Sequence, residues 1–243
     1  MRAKLFKRQG GFSLIEISIV LVIIGLLIGG VLKGQAMVQN SKIKRIASDV
    51  QMIQGAMNAY SDSYWMLPGD DSGAGTRWTN IHPADGTQDI DAGDGDGLIE
   101  GLFIPVNADR LPSTATVAGR SETSYVWNHL YCEGLLKGEC LAGNNATTNV
   151  VQPANPAGGL TGIADGRVNA VTSPRYLGIV RKMICMRQIP ANWAMIYDTQ
   201  FDDGAGDSGD IAGSAVADTE AAAGTATPYG TTLGNPIVLC SGF

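Results

Sequence analysis

The chain has 243 residues, 17 basic and 23 acidic, with a formal net charge of −6, which is length for one or two compact domains. Four of the bases (Arg2, Lys4, Lys7 and Arg8) precede the first acid, Glu16, so the rest of the chain carries 13 bases against 23 acids. An acidic, glycine-rich remainder excludes a general nucleic-acid surface, which needs clustered Lys and Arg, and suits an exported domain with carboxylates to spare for cations.

Residues 1–11 carry those four bases and no acid, so this tip is expected to stay cytoplasmic. Phe12–Leu32 follows as an apolar run of 21 residues with one charge, Glu16. As a helix it spans roughly 31 Å at ~1.5 Å per residue, which matches a bilayer core. Gly10-Gly11 lies on the border, where backbone without side chains fits readily into a protease cleft. A secretory signal has its small-residue cleavage site after the apolar region; here the small residues come first, so cleavage keeps the helix. A plain anchor leaves Glu16 unexplained, because a carboxylate inside a membrane segment is expensive and asks for a partner. Cleavage after Gly11 supplies one: Phe12 becomes a free amine four residues from Glu16, available within one chain or to a neighbour.

Gly11-Phe12-Ser13-Leu14-Ile15-Glu16 ahead of a long apolar helix resembles the class III signal of type IV pilins and type II secretion pseudopilins. The resemblance implies cleavage by prepilin peptidase after Gly11, N-methylation of Phe12, and a role for Glu16 in pairing with an amine during filament assembly. Many pilins carry a proline about two turns further on, and Phe12–Leu67 has none. Gly25, Gly29, Gly30 and Gly34 are expected to loosen the helix instead, each costing ~1 kcal/mol relative to alanine.

From Lys33 to Tyr64 the helix is expected to continue as an amphipathic one. Ile43, Ile46, Ala47, Val50, Ile53, Met57, Tyr60 and Tyr64 recur at three- and four-residue steps, with Lys42, Lys44, Arg45, Asp49 and Gln51 off that stripe. Leu67-Pro68-Gly69 is expected to stop it. Residues 69–101 then form a polar Gly/Asp stretch centred on Asp89-Ile90-Asp91-Ala92-Gly93-Asp94-Gly95-Asp96-Gly97-Leu98-Ile99-Glu100. Carboxylates on a pliable backbone suit Ca²⁺, and Asp89, Asp91, Asp94, Asp96 and Glu100 are the candidate ligands. It is not an EF-hand, since Gly93 takes a ligand position and Asp94 the turn-glycine position. The opposing reading is a solvated turn in which Asp and Gly serve backbone geometry. Leu67-Pro68-Gly69-Asp70 followed by Gly93–Gly97 resembles a subset of prepilin-type proteins.

Trp127–Gly138 reads as a short helix ending at glycine, with Trp127, Leu130, Tyr131 and Leu135 on its buried face. Its Trp, His-Leu and Gly-Leu spacing is similar to the same proteins. His129 reads as a satisfied helix-face imidazole rather than a ligand or base. The four cysteines are expected to form Cys132–Cys140, a local loop, and Cys185–Cys240, which ties down the C-terminus; spacing alone leaves three connectivities open. Residues 141–173 read as loop. Strands are expected at Tyr176–Val180, Arg181–Met186, Trp193–Tyr197 and Ile237–Cys240, bounded by Gly and Pro as in an antiparallel sheet. Residues 202–210 form a second acidic turn that could complete a cation site beside residues 89–100, and residues 212–227 read as an exposed loop.

No phosphate-binding glycine loop, nucleophile elbow, Cys-x-x-Cys or His pair at metal spacing is present, so no enzyme is expected. The expected fold is α+β and pilin-like: a leader at 1–11, a transmembrane or filament-core helix at 12–32, an amphipathic helix at 33–66, and a globular head at 67–243. The expected function is structural, as a subunit of a type IV pilus-like or pseudopilus filament. Its expected partners are the inner membrane, prepilin peptidase, copies of itself or other pilins, and an assembly platform with its ATPase. The precursor is expected in the inner membrane with a periplasmic head, then in a periplasmic or cell-surface filament. The rival is a non-polymerising, membrane-anchored binding protein whose acidic loops capture cations, glycans or a partner.

Overall fold

A computed structural model of the chain describes residues 13–79, 90–101, 122–140, 152–167, 176–214, 226–229 and 235–243. It contains two compact units, Met1–Ser41 and Lys42–Phe243. Helix α1, Leu14–Tyr64, runs for 51 residues. In the first unit its residues from Leu14 to Val38 are all exposed, and among the described residues α1 is the helix long and apolar enough to cross a membrane. The four glycines of this half do not interrupt it, and a Cβ at any of them would meet open space.

In the second unit α1 changes character as its periodicity predicts. Ile43, Ile46, Ala47, Val50, Ile53, Met57 and Tyr60 are buried together with Ala56, while Tyr64 is half-buried. Each isoleucine so buried contributes roughly 1.5–3 kcal/mol. The helix stops at Tyr64, ahead of Leu67-Pro68-Gly69, because Trp65 turns into the left-handed region at φ 58°.

Among the described residues three shorter helices follow: α2 (Ala74–Arg77), α3 (Glu122–Cys132) and α4 (Ala191–Phe201). Four strands form one antiparallel sheet in the order β1-β2-β4-β3: β1 is Thr161–Asp165, β2 Lys182–Pro190, β3 Ile211–Ser214 and β4 Pro236–Gly242. The sheet is buried on both faces. Ile163, Ile184, Met186, Ile211, Ile237 and Leu239 pack with the buried stripe of α1 and with α3 and α4. Ala164, Met183, Cys185, Ala212 and Cys240 pack on the other side with Leu177 and Ile179. Alternation along β2 and β4 thus feeds two cores at once.

Several expected elements differ. Trp193–Tyr197 is helix, not strand: Ala191, Ala194, Tyr197 and Asp198 are the buried positions of α4, a three-to-four-residue period that overrides the apparent alternation. Tyr176–Val180 is not a strand either, since Leu177 (φ 52°) and Gly178 (φ 79°) fold it into a tight 3₁₀ turn. Conversely, β1 lies inside the stretch read as loop, and β3 opens the stretch read as an exposed loop, with Ile211, Ala212 and Ser214 buried. Both were hidden by Gly, Ala, Ser and Thr, which carry little hydrophobic signal. The rest of those two loop readings, residues 141–151, 168–173 and 215–225, lies outside the described residues.

Both disulfides form as expected. Cys185 and Cys240 face each other across β2 and β4 with Cα atoms 4.0 Å apart, and Cys132–Cys140 closes a loop of sequence separation 8 beyond α3.

Candidate functional site

The first candidate region is the start of α1. Gly10, Gly11 and Phe12 lie outside the described residues. Ser13 and Glu16 are described, and they cap the helix reciprocally. The Ile15 N–H donates to Ser13 Oγ at 3.3 Å, and the Ser13 N–H donates to Glu16 Oε2 at 3.0 Å. A Ser-x-x-Glu pair of this kind is a capping box, and it satisfies amide donors that the first helical turn leaves without partners. Sequence reasoning gave Glu16 the Phe12 amine as its partner, within one chain or from a neighbour, and missed the Ser13 N–H, although Ser13-Leu14-Ile15-Glu16 displays the signature.

The second region is the corner where α1 gives way to the Leu67–Asp71 turn. Gly69 sits at φ 97°, and a Cβ there would lie 2.7 Å from the Glu122 carbonyl oxygen, so only glycine lets the turn lie against α3. Gly93 is tighter still: its Cβ would fall 2.3 Å from Asp70 Cα. The two sequence motifs, residues 67–70 and 93–97, are therefore in backbone contact.

What joins them is a carboxylate. Asp70 is buried, and its two oxygens accept from the N–H groups of Gly95 (2.7 Å), Asp96 (3.1 Å) and Gly97 (2.8 Å). The buried carboxylate of Glu122 accepts from the N–H groups of Asp94 (3.1 Å) and Glu100 (3.0 Å). Asp94 and Asp96 each accept from the amide two residues on, Asp96 at 3.1 Å and Leu98 at 2.8 Å. Arg167, paired with the buried Asp165, donates from Nη2 to the Gly97 carbonyl at 2.8 Å and ties the loop to the end of β1. Aspartate and glycine here build the backbone.

Asp70, Asp94 and Glu122 also place one carboxylate oxygen each within 4.8 Å of one another. Burial, offset in part by the amide donors, leaves the carboxyls of Asp70 and Glu122 above their ordinary range, and neighbouring carboxylates push the same way. Of the residues singled out in sequence, only Asp94 belongs to this group. Asp91 uses its carbonyl, Asp96 its local turn, and Glu100 its N–H; Asp89 lies outside the described residues. Asp70 and Glu122 were missed because they lie outside the Asp/Gly run. The second acidic turn gathers separately: Asp202 and Asp203 converge with Asp198, not with the 94–100 loop. There too amides and hydroxyls donate, Gly204 N–H and Tyr229 Oη–H to Asp198, Asp210 and Ile211 N–H to Asp202, Ala205 N–H and Ser208 Oγ–H to Asp203.

Beneath the corner lies a polar network in an aromatic setting. His129 is fully buried; its Nδ1 accepts from the Gly69 N–H at 2.9 Å, and its Nε2–H donates to the Asp91 carbonyl at 2.8 Å. A single neutral tautomer makes both bonds, and burial lowers the imidazole to about 4. Its ring stacks on Tyr60 at 5.9 Å. Tyr60 Oη donates to Asp71 Oδ2 at 2.6 Å, and Arg77 Nη1 donates to the same oxygen at 2.7 Å. Burial alone would raise the Asp71 carboxyl; Arg77, Tyr60 and the Gly73 N–H together bring it below its ordinary range. The Arg77 guanidinium lies 3.6 Å from the centroid of Tyr64, whose hydroxyl donates to Glu133. Every group in this network has an internal partner, and together they brace α1, α2 and α3.

Residues 6–32 match the family model of the prokaryotic N-terminal methylation motif, the type IV pilin and pseudopilin signal. No curated protein and no solved structure matches the chain.

Proposed function

We infer that the chain is a subunit of a type IV pilus-like or pseudopilus filament. In this reading prepilin peptidase cuts after Gly11, Phe12 is N-methylated, and Phe12–Leu32 leaves the inner membrane to pack into a filament core. The head is then carried on the filament in the periplasm or at the cell surface. The observation that carries it is the methylation motif at residues 6–32, in register with Glu16 and an exposed apolar helix. Glu16 sets register by meeting a neighbour's amine, since an unpaired buried charge costs several kcal/mol. The function is mechanical, and the braced corner under α1 suits a rigid head.

Intact mass and N-terminal sequencing of the membrane-extracted protein test this. A chain starting at methylated Phe12 is the expected result. A chain still starting at Met1, from cells with active prepilin peptidase, overturns it in favour of an anchored, non-polymerising binding protein. Calcium enters the reading at Asp70, Asp94 and Glu122, whose oxygens converge. Amide donors already build that loop, so a cation would add stability rather than create the fold. Equal unfolding midpoints in calcium and in chelator would remove it.

A further inference from the structure

Trp65 is placed against two ordinary preferences at once. It ends α1 in the left-handed region at φ 58°, where Gly or Asn is the usual choice and a bulky residue is strained. Its side chain is 91% exposed, so packing within the chain does not offset that strain or the exposure of an indole. Strain that persists without an internal reason points to use.

The surroundings of Trp65 are acidic. Asp62 is exposed one turn earlier, and Asp94 and Asp96 are exposed on the loop that Met66 touches, a Cβ at Gly95 lying 3.2 Å from the Met66 methyl. The complementary charge sits at the other end of the same helical stretch. Lys42, Lys44 and Arg45 are exposed, and no Lys or Arg follows in α1 from Ile46 to Tyr64. The chain already pairs one of these cations with an indole: Lys42 Nζ lies 5.2 Å from the Trp193 ring centroid. Arg45 makes a loose ion pair with Asp49, 3.8 Å long with the Arg side chain 70% exposed.

We propose that the Trp65–Asp62 corner of one copy receives the Lys44–Arg45 segment of a second copy of this chain, indole and carboxylate together holding the cation. The inference rests on the filament reading and supplies a head-level contact for it. Lys44 and Asp62 are separated by 18 positions, about 27 Å along the helix at ~1.5 Å per residue. The two patches are different surfaces, so each copy offers one and accepts the other. With the copies parallel, as the filament reading requires, this contact is heterologous and repeats from copy to copy along an axis. The charge polarity of α1 from Lys42 onward, basic before Ile46 and acidic after it, gives the contact one direction.

The test is Trp65→Gly in the full chain, expressed with its native assembly machinery, read by pelletable filament yield and by the unfolding midpoint of the extracted protein. Glycine relieves the left-handed strain, so the midpoint stays or rises while filament yield falls several-fold. Opposite movement of the two readouts is what a merely structural tryptophan would not give. Lys44→Glu is expected to lower yield as well, and adding Asp62→Lys to it to restore yield. Full yield from Trp65→Gly, or a fall in yield matched by a fall in midpoint, overturns the contact and leaves the filament reading standing. A wild-type chain that never pellets removes the filament reading itself.

Discussion

Acidification should unload His129 from the head, and the size of the effect follows from its surroundings. The imidazole sits near 4 instead of its unfolded value of 6.5. A basic group whose folded value is lowered stabilises the fold fully above the unfolded value and loses that contribution as pH falls from 6.5 towards 4. Between pH 7 and pH 5 the loss amounts to about 2 kcal/mol. The main cause is burial, and the bonding geometry leaves a second proton no acceptor. A protonated Nδ1 would point a hydrogen at the Gly69 N–H, donor against donor, in a fully buried site faced by Arg77 as well as Asp71. Other groups respond to acid with other signs. The raised carboxyls of Asp70, Glu122 and Asp198 favour folding as they take up protons, while the lowered Asp71 carboxyl opposes its own protonation. The informative quantity is therefore the difference between the wild type and His129→Gln. Glutamine keeps one acceptor and one donor but has no proton to gain. Urea unfolding of the full chain in detergent, followed by tryptophan fluorescence, should show the variant less stable at pH 7 and the gap narrowing by about 2 kcal/mol at pH 5. The ring centroid of Trp78 lies 6.0 Å from that of His129, which gives a local reporter. Parallel pH profiles for the two proteins would refute a buried neutral imidazole.

Three other perturbations separate the elements from one another. Removing Cys185–Cys240, which closes a separation of 55 residues, should cost about 4 kcal/mol, against about 2.5 kcal/mol for Cys132–Cys140 with its separation of 8; denaturant midpoints of the two Ser-for-Cys pairs check the order. Gly93→Ala should unfold or severely weaken the head because its Cβ meets Asp70 backbone at 2.3 Å, whereas Gly97→Ala, in open space at φ 86°, should cost only about 1–2 kcal/mol in the same assay. Glu16→Gln keeps an acceptor for the Ser13 N–H but removes the charge, so leader cleavage and membrane insertion should persist while incorporation into filaments falls; wild-type incorporation would leave Glu16 a helix cap and nothing more.

How legible each part was depended on how far its signal travels along the chain. The α1 stripe from Ile43 to Tyr60 was legible because one helix face is written at a fixed period in residues that only burial explains. The cysteine pairs were legible only as one of three open connectivities, and the fold decides among them by setting Cys185 opposite Cys240 across β2 and β4. Strands β1 and β3 were not legible, because Thr161-Gly162 and Ala212-Gly213-Ser214 carry little apolar signal; their burial comes from the sheet that receives them, which local sequence does not describe. Strand candidates at Trp193–Tyr197 failed for the opposite reason, a short apolar run compatible with both periods until Ala191, Ala194 and Asp198 are counted.

The acidic loop teaches the sharper lesson. An Asp/Gly run invites a reading in which its own carboxylates face inward on a cation. In the fold the inward groups are its amides, and the carboxylates they serve, Asp70 and Glu122, arrive from a turn 25 residues earlier and a helix more than 20 residues later. Polarity is inverted: the run donates, and the flanking elements accept. The spacing that matters is thus between motifs, not within one. Glycine at 69 and 93 allows the two backbones to touch, Asp70 then reaches three amides, and His129 below bonds Gly69 on one side and Asp91 on the other. The same imidazole therefore clamps both strands of the corner from which Trp65 projects. If that corner carries load between copies, the clamp and the strain above it belong to one device, and the stiffness of the buried part is what lets an exposed indole be held in a conformation it would otherwise leave.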